Sequence, residues 1–377
     1  MNKQRVLVES DEQLRNNIND LRYRKAKIVD LETLKKEREE NLISWITYFR
    51  ENPARFAVDY LGIQKLTIWQ RIILHWMFKS DEFLWIASRG IGKTFLIWLY
   101  CIIRCILYPG TKIVYTSITQ AAAVAYMLEK VGELCNNYPN VAAEIANIDK
   151  GSKNPGVFFH NGSSVLIRPP SNNALGARAN CIVIDEYRYV NNDVIEKVFK
   201  KFLTSPRQPY FMELTDDNGN KLYPDYPKEQ NIEIYISSQA PTYEPAYSRF
   251  VNAIKNMINK NNPFRTTAIC TPYYLGVKDG IITRERIIKE LREEGADMSV
   301  FALEYECIPY GTSDKSYFTN EMFARNRTIT DIFIPMDAQS YARYSGDLTK
   351  NPFYKPKIPG EIRLLGVDTA LSGNNAN

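Results

Sequence analysis

Histidine is scarce in this chain, and its cysteines lack the spacing of a metal site. Two histidines occur among 377 residues, and the six cysteines include no C-x-x-C pair. A structural zinc centre takes about four closely spaced Cys and His ligands. The composition therefore excludes a zinc cluster and predicts reduced thiols in the core.

The chain also has no long apolar run. Its longest, Phe95 to Leu107, is too short and too interrupted to span a bilayer, which takes about 20 apolar residues. Met1 is followed by polar and charged residues instead of an apolar signal segment. We therefore expect an intracellular protein with no membrane partner.

Charge of neither sign dominates. Lys and Arg number 48 against 43 Asp and Glu, a net charge of +5, which permits a polyanionic partner without requiring one. The length suggests two domains, or one large domain with attachments.

What is present is a pattern for phosphate binding. The apolar stretch ending at Ala87 runs into a short loop, a Lys-Thr pair and a hydrophobic, helix-like segment; the motif residues are Ser88, Arg89, Gly90, Ile91, Gly92, Lys93 and Thr94. Small residues let backbone N–H groups converge on phosphate oxygens, and the helix dipole favours the anion. Lys93 would reach the β- and γ-phosphates, and the Thr94 hydroxyl would bind Mg²⁺. Ala87 stands where the common pattern has Gly.

A second pattern lies downstream, where the apolar run Cys181 to Ile184 ends in Asp185 and Glu186. Asp185 would reach the metal and Glu186 the attacking water. Taken singly, each pattern also fits a structural alternative: a glycine-rich turn with a surface lysine, or a buried strand that ends at a charged turn. Together they predict ATP binding and hydrolysis, with the ammonium of Lys93 and the two acids facing one triphosphate from adjacent tips of the sheet.

Apolar strands alternate with helical spans, which predicts an α/β fold with a mostly parallel sheet and helices on both faces, of the P-loop (RecA/ASCE-like) type. Strands are expected near residues 83–87, 112–116, 164–168, 181–185 and 233–237. The predicted divisions are a helical N-terminal extension (1–60, broken at Asn52-Pro53), a P-loop core (61–260), a small lid subdomain (261–333), a linker (334–360) and a last strand with its continuation (361–377). Residues 215–230, rich in Asp, Asn, Gly and Pro, are expected to form a surface excursion.

The order of these motifs resembles that of the large terminase subunit of tailed bacteriophages, the motor that pumps DNA into a procapsid and cuts it. Besides the two motifs above, the resemblance rests on Asn52 to Phe56, Tyr60 to Gly62, Leu66 to Gln70, Ile236 to Ser238, Phe301 to Tyr305 and Gly366 to Asp368.

The resemblance implies roles for further residues. Gln70 would contact the adenine edge, with a helix-surface glutamine as the alternative. Arg89 would sense the γ-phosphate unless it faces solvent. Ser237 and Ser238 would couple hydrolysis to movement, or else form an ordinary turn after a strand.

A ring motor needs an arginine from the neighbouring subunit. Arg178 is the candidate, Arg168 and Arg188 compete with it, and a plain surface arginine is the alternative. For DNA contact, the basic group Lys197, Lys200, Lys201 and Arg207 is one candidate, with a solvated helix face as the alternative.

The resemblance also implies that residues 361–377 begin an RNase H-like nuclease, with Asp368 as its first metal ligand. Two-metal cleavage, with Mg²⁺ or Mn²⁺, needs several carboxylates, and no acid follows Asp368. We therefore expect a truncated nuclease and no DNA cleavage by this chain.

The implied function is an ATP- and Mg²⁺-dependent packaging ATPase. Its implied partners are double-stranded DNA, the portal protein, a terminase small subunit and further copies in a ring, in the host cytoplasm and transiently on the procapsid, not in the mature virion. Two alternatives remain open. A helicase-like translocase would need a second RecA-like domain, and a nucleotide-gated adaptor that does not hydrolyse ATP would have no use for Glu186.

Overall fold

The computed structural model describes residues 31–311, except 152–153, 175, 217, 225, 227–228 and 293–296, and then residues 325, 338–350 and 359–360. The chain divides into two compact units, Met1–Asn320 and Glu321–Asn377. In the second unit one helix, Ala338–Arg343, is described. The expected nuclease strand and Asp368 lie outside the described residues.

Within the described residues, eight strands form one sheet. They are β1 (Glu82–Ala87), β2 (Lys112–Thr116), β3 (Ile145–Asp149), β4 (Gly156–Phe159), β5 (Ser164–Ile167), β6 (Cys181–Asp185), β7 (Ile232–Ser237) and β8 (Thr266–Thr271). Their order across the sheet is β3-β4-β5-β2-β6-β7-β1-β8. The strands from β5 to β8 in that order are parallel, whereas β3 and β4 pair antiparallel at one edge.

The helices connect and cover these strands. They are α1 (Leu31–Glu51), α2 (Pro53–Asp59), α3 (Ile68–Lys79), α4 (Lys93–Leu107), α5 (Gln120–Asn137), α6 (Pro139–Glu144), α7 (Pro245–Ile258), α8 (Tyr273–Lys278), α9 (Arg284–Arg292) and α10 (Met298–Phe301). The break at Asn52 is confirmed, and Pro53 begins α2, where its missing N–H has no intrahelical partner to lose. None of the described helices combines the length and apolarity that crossing a bilayer requires.

Alternate residues of the central strands enter two separate cores. Phe83 and Trp85 of β1 pack in a core with α3, α4 and α5. Leu84 and Ile86 pack in a second core with α7 and the short helical turns of residues 187–202. This alternation places helices on both faces, so the predicted open, mostly parallel α/β fold is confirmed.

The neighbourhood of the strand tips differs from the expectation in one respect. β7 lies between β1 and β6, so the tips that carry the phosphate loop and the two acids are not adjacent. Two strand spacings amount to about 10 Å, and the long side chain of Lys93 reaches across them. β8, at residues 266–271, also belongs to the sheet and lies beyond the expected end of the core at residue 260; the division into a core and a lid stays a prediction.

Candidate nucleotide-binding site

The loop between β1 and α4 has the backbone of an anion cradle. Gly90 has φ of 76° and Gly92 has φ of 90°, values in the left-handed region that favours glycine. Gly92 is the N-cap of α4 and supplies no capping side chain. The first N–H groups of a helix have no intrahelical acceptor, so those of α4 are available to an anion.

Two backbone hydrogen bonds hold this loop in place. The amide of Ser88 donates to the carbonyl of Thr271 at 2.9 Å, and the amide of Arg89 donates to the carbonyl of Glu304 at 2.7 Å. The loop is therefore fixed to the end of β8 and to the π-helical turn Ala302–Glu306.

Lys93 connects the loop with the second motif. Its Nζ donates to the carbonyl oxygen of Ala87 at 3.2 Å and lies 3.6 Å from Oε1 of Glu186. The side chain is only 9% exposed. The predicted approach of Lys93 to the two acids is thus present in the structure, across the intervening tip of β7.

Asp185 ends β6 in a fully enclosed position. Its Oδ2 accepts a hydrogen bond from the Tyr115 hydroxyl at 2.7 Å, and its Oδ1 accepts one from the amide of Glu186 at 3.0 Å. Burial and then the charge of Glu186 raise the pKa of Asp185 to about 7, although the Tyr115 hydrogen bond and the charge of Lys93 oppose this rise. A nearby cation is what such a carboxylate needs to stay ionised at neutral pH.

Glu186 is held in an unusual backbone conformation. Its φ of 53° is in the left-handed region, which costs a non-glycine residue about 1 kcal/mol or more. Its Oε2 accepts a hydrogen bond from the Ser237 hydroxyl at 3.0 Å. The carboxylate therefore lies between Lys93 and the tip of β7.

Ser238, the next residue, contacts a different carboxylate. Its hydroxyl donates to Oε1 of Glu304 at 3.1 Å. The same oxygen accepts from Nη1 of Arg188 at 3.3 Å, and Arg188 also pairs with Glu244 at 3.2 Å. Arg188 is 13% exposed and is committed to these partners within its own chain.

The remaining predicted residues lie at different distances from this centre. The Gln70 side chain is buried and caps α3, because its Oε1 accepts from the amide of Thr67 at 3.0 Å. Its Nε2 lies 3.8 Å from the position of a Cβ on Gly92, so the amide is beside the phosphate loop. Arg89 is exposed at the loop, and Arg178 is exposed on the segment that leads into β6.

Arg168 and the basic group are engaged elsewhere. Arg168 donates to Asn154 at 3.1 Å. Lys197 pairs with Asp193, Lys200 with Glu196 and Arg207 with Glu229. Arg207 is 1% exposed, so including it in a DNA-contacting patch was wrong, because its charge is satisfied inside the protein.

Sequence reasoning missed Tyr115, Arg188 and Glu304 as parts of this centre. Tyr115 offered a signal, since a tyrosine within a buried strand usually needs a partner for its hydroxyl. Glu304 offered only its place in the stretch Phe301 to Tyr305, because its partners are 66 and 116 residues away in sequence.

The loop, the lysine at the start of a helix and the acids after a neighbouring strand define a P-loop type of α/β fold. Among solved structures, the chain is similar to the large terminase of bacteriophage HK97, with 13% identity and a TM-score of 0.48 over 65% of this chain and 51% of that one. It is also similar to the large terminase ATPase domain of Thermus phage P74-26, with 13% identity and a TM-score of 0.42 over 67% and 96%.

A third similar structure is the large terminase of a thermophilic bacteriophage in complex with ADP, with 8% identity and a TM-score of 0.42 over 64% and 53%. The chain thus spans about half the length of the HK97 protein and of this ADP-bound one. No family model matches the sequence, and no curated protein matches it.

Proposed function

We propose that this chain is an ATP-hydrolysing motor subunit that moves double-stranded DNA into a viral procapsid. The observation that carries the proposal is the convergence of Lys93, Asp185, Glu186 and Ser237 at the carboxyl ends of β1, β6 and β7, beside a loop built to bind an anion. Ligands of open α/β sheets bind at this edge.

The chemistry begins with the phosphates. The amides of the first turn of α4 would bind the phosphate oxygens, and the Lys93 ammonium would move from Glu186 to the β- and γ-phosphates. The exposed side chain of Arg89 would reach the γ-phosphate, and the amide of Gln70, beside Gly92, would reach the adenine.

The donors also fit Mg²⁺. Among the described residues no group of three or more His, Cys, Asp and Glu side chains could hold a metal. Mg²⁺ usually takes only one or two protein carboxylates and completes its shell with water and substrate phosphates. Thr94 and Asp185 would hold it, and it would neutralise charge on the transferred phosphoryl group.

Glu186 would then carry the hydrolytic step. Released from Lys93, its carboxylate would accept a hydrogen bond from the attacking water, whose oxygen bonds to the γ-phosphorus as the bond to the ADP oxygen breaks. Ser237 donates to this same carboxylate, which supports a coupling role for Ser237 and Ser238. An adaptor that only binds ATP would not need the strained Glu186.

Translocation requires partners. Double-stranded DNA, the portal, a small subunit and further copies of this chain are the proposed ones. DNA would be gripped through its phosphates, so its effect on turnover should weaken as salt rises.

The test is ATP turnover of the wild type with and without double-stranded DNA, followed by packaging into purified procapsids with Lys93→Ala as the control. We expect turnover that DNA stimulates at about 50 mM salt and much less at about 200 mM, and packaging that Lys93→Ala abolishes. Stimulation by single strands instead of duplex would favour the helicase-like alternative. Binding without turnover would favour the adaptor.

A further inference from the structure

One carboxylate outside the two motifs joins the segments that surround the nucleotide site. Oε1 of Glu304 accepts hydrogen bonds from Ser238 at 3.1 Å and from Arg188 at 3.3 Å, and the Tyr189 hydroxyl lies 3.5 Å from it. The Glu304 side chain is 17% exposed. Charge-assisted hydrogen bonds at such a position are stronger than the same bonds in water.

The backbone of the same turn holds the phosphate loop. The carbonyl of Glu304 accepts from the amide of Arg89 at 2.7 Å, and the carbonyl of Leu303 accepts from the amide of Gln239 at 3.3 Å. A displacement of the phosphate loop is therefore transmitted directly to residue 304.

The tip of β7 bridges Glu304 to the water-activating carboxylate. Ser237 donates to Glu186, and its neighbour Ser238 donates to Glu304. Both serines are buried. Because the two hydroxyls belong to consecutive residues, the position of Glu304 constrains the hydroxyl that touches Glu186.

Arg188 provides a second connection. It follows Glu186 by two residues, on the turn Tyr187–Tyr189, and donates to Gln239 O at 3.0 Å as well as to Glu304. The charge of Glu304 thereby also holds the turn that carries Glu186.

On the basis of the proposed function, we propose that Glu304 is a positioning residue for ATP hydrolysis. It ties the phosphate loop to Ser238 and Arg188 and so sets the orientation of Glu186. It touches neither the phosphates nor the water, so its loss should lower kcat and leave nucleotide affinity nearly unchanged.

The experiment measures kcat and KM for ATP in the wild-type chain and in Glu304→Ala, Ser238→Ala and the double variant. We expect Glu304→Ala to lower kcat about tenfold or more, equivalent to about 1.4 kcal/mol, with KM changed less than threefold. If Glu304 acts through Ser238, the double variant should be no slower than Glu304→Ala alone, since the two losses share one path.

Conservative variants keep the test informative if Glu304→Ala does not fold. The amide oxygen of Glu304→Gln can still accept from Ser238, so its kcat should return to within about threefold of the wild type. Glu244→Gln removes the other carboxylate partner of Arg188 and should change kcat less than about twofold, since a surface ion pair contributes little.

Three results would overturn the assignment: wild-type kcat in Glu304→Ala, losses that multiply in the double variant, or equal damage from Glu304→Gln and Glu304→Ala. Failure of the proposed function is recognised separately, because the wild-type chain would then hydrolyse no ATP at all.

Discussion

At the scale of single residues, the site depends on side chains that are fixed before any ligand arrives. Asp185 has both carboxylate oxygens engaged, and Glu186 is held between Lys93 and Ser237. Such preorganisation lowers the cost of reaching a reactive geometry.

Tyr115 allows a test of this preorganisation. Tyr115→Phe removes the only side-chain hydroxyl that donates to Asp185 among the described residues. We expect the Mg²⁺ concentration for half-maximal turnover to rise about threefold or more, since partners that orient a ligand commonly contribute about 10-fold or more to metal affinity. The measurement is a Mg²⁺ titration of ATP turnover.

Tyr100→Phe is the matched control. Tyr100 is equally buried, but its hydroxyl lies 3.9 Å from the Cys181 sulfur and does not contact Asp185. The same Mg²⁺ requirement in both variants would show that Tyr115 does not orient Asp185.

The two motifs were predictable at residue scale because their chemistry is local in sequence. Lys93 and Thr94 follow the loop directly, and Asp185 and Glu186 follow one apolar run. Tyr115 and Glu304 were not predictable, because their contacts to residues 185 and 238 depend on strand order and not on spacing.

At the scale of elements, continuous apolar runs located the central strands. β2 and β6 have the predicted bounds, since strands buried on both faces are apolar throughout. β3, β4 and β8 were missed. β3 and β8 are edge strands with partly exposed residues, and β4 has only four residues and begins at Gly156, so none shows a strong pattern.

The expected surface excursion at residues 215–230 is attached to the core at its end. Glu229 pairs with Arg104 of α4 at 2.9 Å and with Arg207. Both arginines are almost completely buried. Removing the carboxylate would therefore leave two buried guanidinium groups without their partner.

Glu229→Gln should lower the free energy of unfolding at pH 7 by about 3 kcal/mol. Burial of Glu229 opposes its ionisation, but hydrogen bonds from Arg207 and the charges of Arg104 and Arg207 outweigh burial and lower its pKa from 4.5. The carboxylate therefore stabilises the fold above about pH 4.5, and this contribution disappears as pH falls through the lower, folded-state pKa.

Denaturant unfolding of wild type and variant at pH 7 and below pH 4 measures this difference, which should shrink in acid. Glu213→Gln, an exposed acid of the neighbouring segment, is the control and should change stability little. A pH-independent difference, or one as small as that of Glu213→Gln, would contradict the assigned role of Glu229.

At the scale of the whole molecule, the proposed ring requires that one subunit complete the site of the next. Arg178 is exposed, whereas Arg188 is committed to Glu304 and Glu244 in its own chain. This difference favours Arg178 as the arginine supplied in trans, a role that stays a prediction.

Mixing two inactive variants tests that role. Arg178→Ala should lower turnover about 10³-fold or more, as expected for an arginine finger. Glu186→Gln keeps its own Arg178 and can supply it to the intact Glu186 of an Arg178→Ala neighbour. We expect the mixture to regain turnover. A mixture no more active than its separate components would show that Arg178 does not act between subunits.

The most direct test of the account compares ATP binding and ATP turnover in the wild type, Glu186→Gln and Lys93→Ala. Glu186→Gln should bind ATP as the wild type does and turn it over at least about 100-fold more slowly, because the water loses its acceptor. Lys93→Ala should lose binding. Wild-type turnover by Glu186→Gln would contradict the assignment of this site as the hydrolytic centre.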